Sequence, residues 1–139
     1  MRSTRWLINA TIAVIYLVIL AGAVVRMTGS GMGCPDWPKC FGYYIPPTEA
    51  EALEWKPNQS YNKGQLIIRN EQLVEANKTF TTSSSFEARN WEAYTKHDYA
   101  VFNPWHTWIE YINRLLGALA GLFTLALFLS TVLIRPFNK

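Results

Sequence analysis

The sequence predicts an all-α integral membrane protein, a hairpin of two transmembrane helices joined by a long extracytoplasmic loop. Two uninterrupted apolar runs, residues 6–25 and 115–134, are the main observation behind this prediction. About 20 helical residues cross the ~30 Å hydrocarbon core of a bilayer, because an α-helix rises ~1.5 Å per residue. The loop between the runs is largely polar, so the near-zero mean hydropathy of the chain averages two unlike parts.

The first helix is expected at residues 6–25, after a short N-terminal flank, residues 1–5. Basic residues before an apolar run are also typical of a signal peptide. This run is longer than a signal-peptide core, however, and the residues before Arg26 are a poor cleavage site. We therefore expect a retained helix.

The two chain flanks predict the orientation through the positive-inside rule. Residues 1–5 and 135–139 are both basic, so both termini are expected on the cytoplasmic or matrix side. Loop 26–103 then faces outward, with Arg26 and Arg114 at the outer ends of the helices. Each guanidinium group can bind a carboxylate or phosphate, or it can extend to lipid headgroups. The formal charge of +3 fits these anchors, and the chain has no basic run interleaved with aromatic residues that would indicate nucleic acid.

Both cysteines of the chain, Cys34 and Cys40, lie in the loop. In an oxidising compartment their spacing allows a small ring closed by a structural disulfide. A redox-active pair and two free thiols are the alternatives. Zinc is disfavoured because two cysteines supply too few ligands.

Two local patterns predict secondary structure in the loop. Apolar residues at 66–68 and 73–74 flank Asn70 and predict a short β-hairpin. Ser84 with Glu87 is a capping-box pattern, which predicts a helix that continues to about Lys96.

The second helix is expected at residues 104–134, entering the membrane at about residue 115. Asn103 is a suitable N-cap and Pro104 a suitable first helical residue. Two helices leave most of their surface uncovered. The chain is therefore expected either to oligomerise or to be the front part of a larger bundle.

A line of distinctive residues follows one face of this helix, and we call it the polar stripe. Glu110 is its central member. An ionisable group at the outer end of a membrane helix is costly to remove from water, so it indicates a functional residue. An ion pair with Arg114 in the next turn is the structural alternative. The histidine of the stripe can ligate a metal, pair with Glu110 or face water. The two glycines can pack against a helix or form a smooth wall for a flat ligand. The members are His106, Glu110, Asn113, Gly117 and Gly121.

Two segments of the chain resemble the haem A synthase family. Residues 22–40 (GAVVRMTGSGMGCPDWPKC) resemble the first-loop motif of that family. Residues 110–115 (EYINRL) resemble its Glu-x-x-His-Arg element on the second helix. The two matches have the family's order, and they extend the resemblance over both helices and the first half of the loop. Residues 48–99 look like a lineage-specific expansion, and the resemblance carries no role onto them.

The resemblance implies an eight-helix membrane enzyme in two similar halves. Such an enzyme oxidises a methyl group of haem O to the formyl group of haem A for cytochrome oxidase assembly. Substrate haem is held in the first half and a haem b cofactor in the second. Glu110 would be the catalytic carboxylate, with Cys34 and Cys40 as the loop cysteine pair. Arg26 or Arg114 is our candidate partner for a haem propionate.

The resemblance also implies a location and a set of partners. The protein would lie in the bacterial plasma membrane or the mitochondrial inner membrane. Its partners would be the lipid bilayer, haem and the C-terminal half of the enzyme, with haem O synthase or a second copy as further candidates.

The sequence departs from the family pattern in two ways. Asn113 stands where the family motif has an iron-ligating histidine, and an amide is a poor haem ligand, which leaves His106 as the nearby substitute. The chain also stops after its second helix, so we expect an N-terminal portion that is inactive alone. Two other functions are alternatives to haem A synthesis. One is thiol–disulfide exchange through Cys34 and Cys40. The other is that of a non-enzymatic membrane subunit, which binds a partner helix at Gly117 and Gly121.

Overall fold

The computed structural model describes residues 2–95 and 102–134. Two long helices flank a segment of short strands, and the predicted flank 135–139 lies outside the described residues. The elements are α1 (Arg2–Thr28), β1 (Ser60–Tyr61), β2 (Leu66–Arg69), β3 (Gln72–Ala76), β4 (Phe80–Thr81), β5 (Trp91–Ala93) and α2 (Pro104–Ile134). The chain divides into two compact units. We call them the helix unit, Met1–Thr28 with Ile112–Lys139, and the loop unit, Gly29–Tyr111.

The helix unit is an antiparallel pair. The Trp6 ring of α1 lies 6.5 Å from the Phe123 ring of α2, measured between centroids. Towards the other end of the pair, Gly22 of α1 faces the side chain of Asn113. Both helices are long and apolar enough to cross a membrane, and most of their large apolar side chains are exposed.

The predicted all-α class is wrong for the loop unit, which contains two antiparallel sheets. Strand β3 lies between β2 and β5 in one sheet, and β1 pairs with β4 in the other. The predicted hairpin at Asn70 is confirmed, since β2 and β3 pair around it. Asn70 and Glu71 form the two-residue turn and both have positive φ, 50° and 61°. These are the dihedrals that a two-residue turn of type I′ requires.

The helix predicted from Ser84 to Lys96 is also wrong. The described part of this segment forms a 3-10 turn, Ala88–Asn90, followed by β5, and Lys96 lies outside the described residues. Glu87 accepts hydrogen bonds from Arg89 and Asn90 instead of completing a capping box. The nearby Arg89 guanidinium lowers the pKa of the Glu87 carboxyl.

The three-stranded sheet separates two hydrophobic clusters. Successive side chains of a strand point to opposite faces. Leu66 of β2 therefore packs in one cluster and Ile67 in the other. The first cluster also contains both cysteines, and Tyr111 of α2 packs against it. The second is largely aromatic, built around Tyr61 and Trp91.

Candidate functional site

The first turn of α2 is fixed by its own capping residues. The Asn103 side-chain oxygen accepts a hydrogen bond from the Trp105 amide at 3.0 Å. The Asn103 carbonyl accepts one from the Thr107 amide at 2.9 Å. Pro104 fits the first helical position because it has no amide hydrogen to satisfy. Because this cap sets the start of α2, it determines the positions of His106, Thr107 and Glu110 on the helix.

The disulfide between Cys34 and Cys40 is present, as predicted, with an S–S distance of 2.06 Å. The ring that it closes is held by local bonds. The Cys40 and Tyr43 backbones exchange hydrogen bonds of 2.9 and 3.1 Å, and Asp36 accepts one from the Gly42 amide at 2.8 Å. We call residues 34–40 the disulfide ring.

The residue before the ring lies directly against α2. The Thr107 hydroxyl donates a hydrogen bond to the Gly33 carbonyl at 2.9 Å, and the Thr107 side chain is fully buried. A β-carbon on Gly33 would lie only 2.5 Å from the His106 carbonyl oxygen. Only glycine allows the two backbones to approach this closely, so Gly33 is the residue through which the loop packs against α2.

Glu110 holds the ring to the same helix. Its Oε2 accepts a hydrogen bond from the Cys34 backbone N–H at 2.9 Å. Glu110 is 7% exposed and Cys34 is 4% exposed. Removing a carboxylate from water is costly, and a hydrogen bond to a backbone N–H offsets part of that cost. The arrangement therefore orients one carboxylate oxygen towards the disulfide ring.

The burial of the ring bears on the thiol–disulfide alternative. That function needs a disulfide that an external thiolate can reach. Cys34 is 4% exposed and Cys40 is 0% exposed. Both cysteines belong to the core cluster that contains Leu66 and Leu73 of the sheet. The geometry fits a structural disulfide.

His106 is half-buried, and its backbone rather than its ring forms the contact with Gly33. Arg26 is exposed in the last turn of α1, and Arg114 of α2 is half-buried. Across residues 2–95 and 102–134, no three His, Cys, Asp or Glu side chains come together as a metal site.

The remaining stripe residues belong to the helix unit. The Asn113 side-chain oxygen would lie 4.0 Å from a β-carbon on Gly22, so this amide faces α1. By contrast, β-carbons on Gly117 and Gly121 would have no neighbour within 4 Å. The glycine face is therefore open among the described residues. Its role as a haem wall or helix-docking surface stays a prediction.

Three positioning residues were not singled out from the sequence: Gly33, Thr107 and Tyr111. Thr107 lies three positions before Glu110, so helical spacing places both on one face and was an available signal. The Tyr111 hydroxyl donates to the Tyr44 carbonyl at 2.7 Å. No local sequence pattern predicts this hydrogen bond between Tyr111 and Tyr44.

The fold and the site together define a class: a protein with two helices long and apolar enough to span a membrane, whose loop carries a disulfide ring docked on a buried carboxylate. A family model described as cytochrome oxidase assembly protein (COX15-CtaA) matches residues 4–81. The chain therefore belongs to this family, and it is a membrane protein. The match extends beyond the first-loop motif to residue 81, so it also covers much of the segment expected to be a lineage-specific expansion.

Curated relatives agree with this assignment. A haem A synthase of Shewanella oneidensis is 46% identical over 48 residues, which are 34% of this chain and 14% of the relative. One of Orientia tsutsugamushi (strain Boryong) is 28% identical over 134 residues, 96% of this chain and 30% of the relative. The chain thus spans less than a third of the length of these relatives. No solved structure matches significantly.

Proposed function

We propose that this chain forms the front part of an enzyme that makes haem A, oxidising a methyl group of haem O to a formyl group for cytochrome oxidase. Family membership and the haem A synthases among its relatives support the reaction class. The observation that carries the proposal is the hydrogen bond between Glu110 and the Cys34 amide. It joins the two motifs by which the sequence resembles the family.

Glu110 is the residue to which we assign proton handling. Oxidation of a methyl group to a formyl group passes electrons to an oxidant that this chain does not supply and releases protons, for which a positioned carboxylate is a suitable acceptor. The Cys34 amide occupies one lone pair of Oε2 and fixes the rotamer of the carboxylate. The Gly33–Thr107 contact holds that amide in place. Fixed orientation of a base is itself a catalytic contribution, because a reacting proton must lie within hydrogen-bond reach.

The residues of α2 do not fit iron ligation at the position that the family motif would use. Asn113 offers an amide, which is a poor haem ligand, and this amide faces Gly22 of α1. We therefore assign this chain the carboxylate chemistry and place the haem b cofactor with the remaining length of the relatives. Arg26 or Arg114 stays our candidate for a haem propionate, because a guanidinium can bind a carboxylate with two hydrogen bonds.

The proposed topology follows the charge pattern. Both termini lie on the cytoplasmic or matrix side of the membrane, and the loop unit lies outside, where a disulfide persists. The eight-helix bundle and contact with haem O synthase or a second copy belong to the same proposal.

The test is haem extraction from cells that express the complete gene product and supply haem O. Glu110→Gln keeps an acceptor for the Cys34 amide but removes the base, so we expect loss of haem A with accumulation of haem O. Glu92→Gln is the matched control, because Glu92 is an exposed strand carboxylate of the same unit. Both variants should retain membrane insertion and the disulfide. Normal haem A in Glu110→Gln would refute the assignment.

A further inference from the structure

Exposed apolar side chains are confined to one part of the loop unit. Among its described residues, every large hydrophobic side chain that is exposed lies in the segment 32–45 or in the first turn of α2. The sheet segment 46–95 exposes none. The exposed residues are Met32 (58%), Trp37 (77%), Tyr44 (71%), Ile45 (70%) and Trp105 (77%), which we call the apolar rim.

The rim is tied to the ends of the loop unit that continue into the membrane helices. Tyr111 is the last residue of the unit, and its hydroxyl donates to the Tyr44 carbonyl at 2.7 Å. The apolar run begins at Leu115, four positions later, which is about 6 Å along a helix. Along the chain, one tyrosine side chain and about one helical turn therefore separate the Tyr44 backbone from the start of the apolar run.

Charge is distributed in the same way. The carboxylates on the sheet segment are mostly exposed, including Glu49, Glu51, Glu54 and Glu71. In segment 32–45 the one carboxylate, Asp36, is engaged by the Gly42 amide. The basic residue there, Lys39, lies 5.0 Å from the centre of the Tyr44 ring. An aromatic side chain with a cationic neighbour suits the headgroup region of a bilayer, where rings and ammonium groups meet phosphate.

We propose that the apolar rim is a lipid-contacting surface that inserts into the phospholipid headgroup region of the membrane crossed by α1 and α2. The occupant is lipid, because the surface is continuous along the chain with the spanning helices. Insertion would hold the disulfide ring at the membrane surface. This inference does not depend on the reaction that the protein catalyses.

The test uses Ile45→Cys in the full chain, labelled with an acetamide-linked nitroxide and reconstituted in vesicles of phosphatidylcholine and phosphatidylglycerol. The two native cysteines are disulfide-bonded and do not compete for the label. Because Ile45 is 70% exposed, the substitution leaves the core intact. Ser84→Cys, at an exposed position of the sheet segment, is the matched control.

Collisions with molecular oxygen and with a water-soluble nickel chelate are then compared by power saturation. Oxygen concentrates in the bilayer and the chelate stays in water. We expect the ratio of oxygen accessibility to nickel accessibility to be several-fold higher at position 45 than at position 84, because a label among the headgroups meets more oxygen and less chelate than one in water. Equal nickel accessibility at the two positions would overturn the proposal. Exclusion of both reagents from position 45 would overturn it as well, because protein would then cover the rim.

Discussion

Gly33→Ala provides the sharpest test of the docked ring. The backbone of Gly33 has φ of −74°, which alanine adopts without strain, so the destabilisation expected from the substitution is steric. The new β-carbon would lie 2.5 Å from the His106 carbonyl oxygen and 2.8 Å from the Thr107 nitrogen. Both atoms belong to the backbone of α2 and cannot rotate away. The ring or the helix must move.

The size of the effect follows from the distances. Restoring an ordinary contact of 3.4 Å needs a shift of about 0.9 Å. That shift stretches the 2.9 Å bonds of Thr107 to Gly33 and of Glu110 to Cys34 beyond hydrogen-bonding distance. Losing a neutral bond costs about 1 kcal/mol and losing one to a charged group about 1.5–3 kcal/mol. We expect destabilisation by about 3 kcal/mol, or a fall in Tm on the order of 10–20 °C for a unit of this size.

Thermal unfolding followed by near-UV circular dichroism in detergent measures this change, and hydrogen exchange of the Cys34 amide reports on the ring itself. Gly121→Ala is the control, because its β-carbon enters open space within α2. We expect that variant to be neutral or stabilised by about 0.5–1 kcal/mol. A Gly33→Ala protein with wild-type Tm and a protected Cys34 amide would refute the docking described above.

Three further predictions concern the loop unit. Replacing Cys34 and Cys40 together by serine should lower the free energy of unfolding by about 2 kcal/mol, because the ring is short; an unchanged denaturant midpoint would contradict this. Glu71→Gly should raise the free energy of unfolding by about 0.5–1 kcal/mol, because Glu71 has φ of 61° in the β2–β3 turn; thermal unfolding of the variant should show no gain if that turn is wrong. Burial raises the pKa of three tyrosine side chains above the ordinary value of 10.0. The unfolded chain therefore ionises first, so the stability that these tyrosines contribute should be complete below pH 10 and fall as the pH rises above it. A single tyrosinate transition near pH 10 in ultraviolet absorbance would rule this out. The three are Tyr43, Tyr61 and Tyr94.

Signals that act over a few residues were predictable from the sequence. The second helix has the same bounds as expected, Pro104–Ile134, because the Asn103 cap and an apolar run define it locally. The Asn70 turn is likewise local, since its two residues determine the pairing of β2 with β3. The disulfide was one of three alternatives and needed only two nearby cysteines.

Signals that depend on distant partners were not predictable. The segment after Ser84 has a capping-box pattern, but Trp91 lies in a cluster with Tyr61 and Phe80. The antiparallel pairing of Trp91 with Ala76 of β3 then overrides helix propensity. The contact of Gly33 with His106 joins positions separated by most of the loop, so no pattern of neighbouring residues specifies the partner of this glycine.

The sheet segment 46–95 lies outside the two motifs that resemble the family, yet it supports the site. Glu110 and Cys34 are 76 positions apart, and the chain between them contains the three-stranded sheet that packs against the disulfide ring. Leu66 and Leu73 of that sheet bury the two cysteines in one cluster. The docked ring therefore needs the sheet for its burial and α2 for its hydrogen bonds. A residue far from any motif can weaken the orientation of Glu110 by loosening this cluster, because the Cys34 amide is positioned by the same packing.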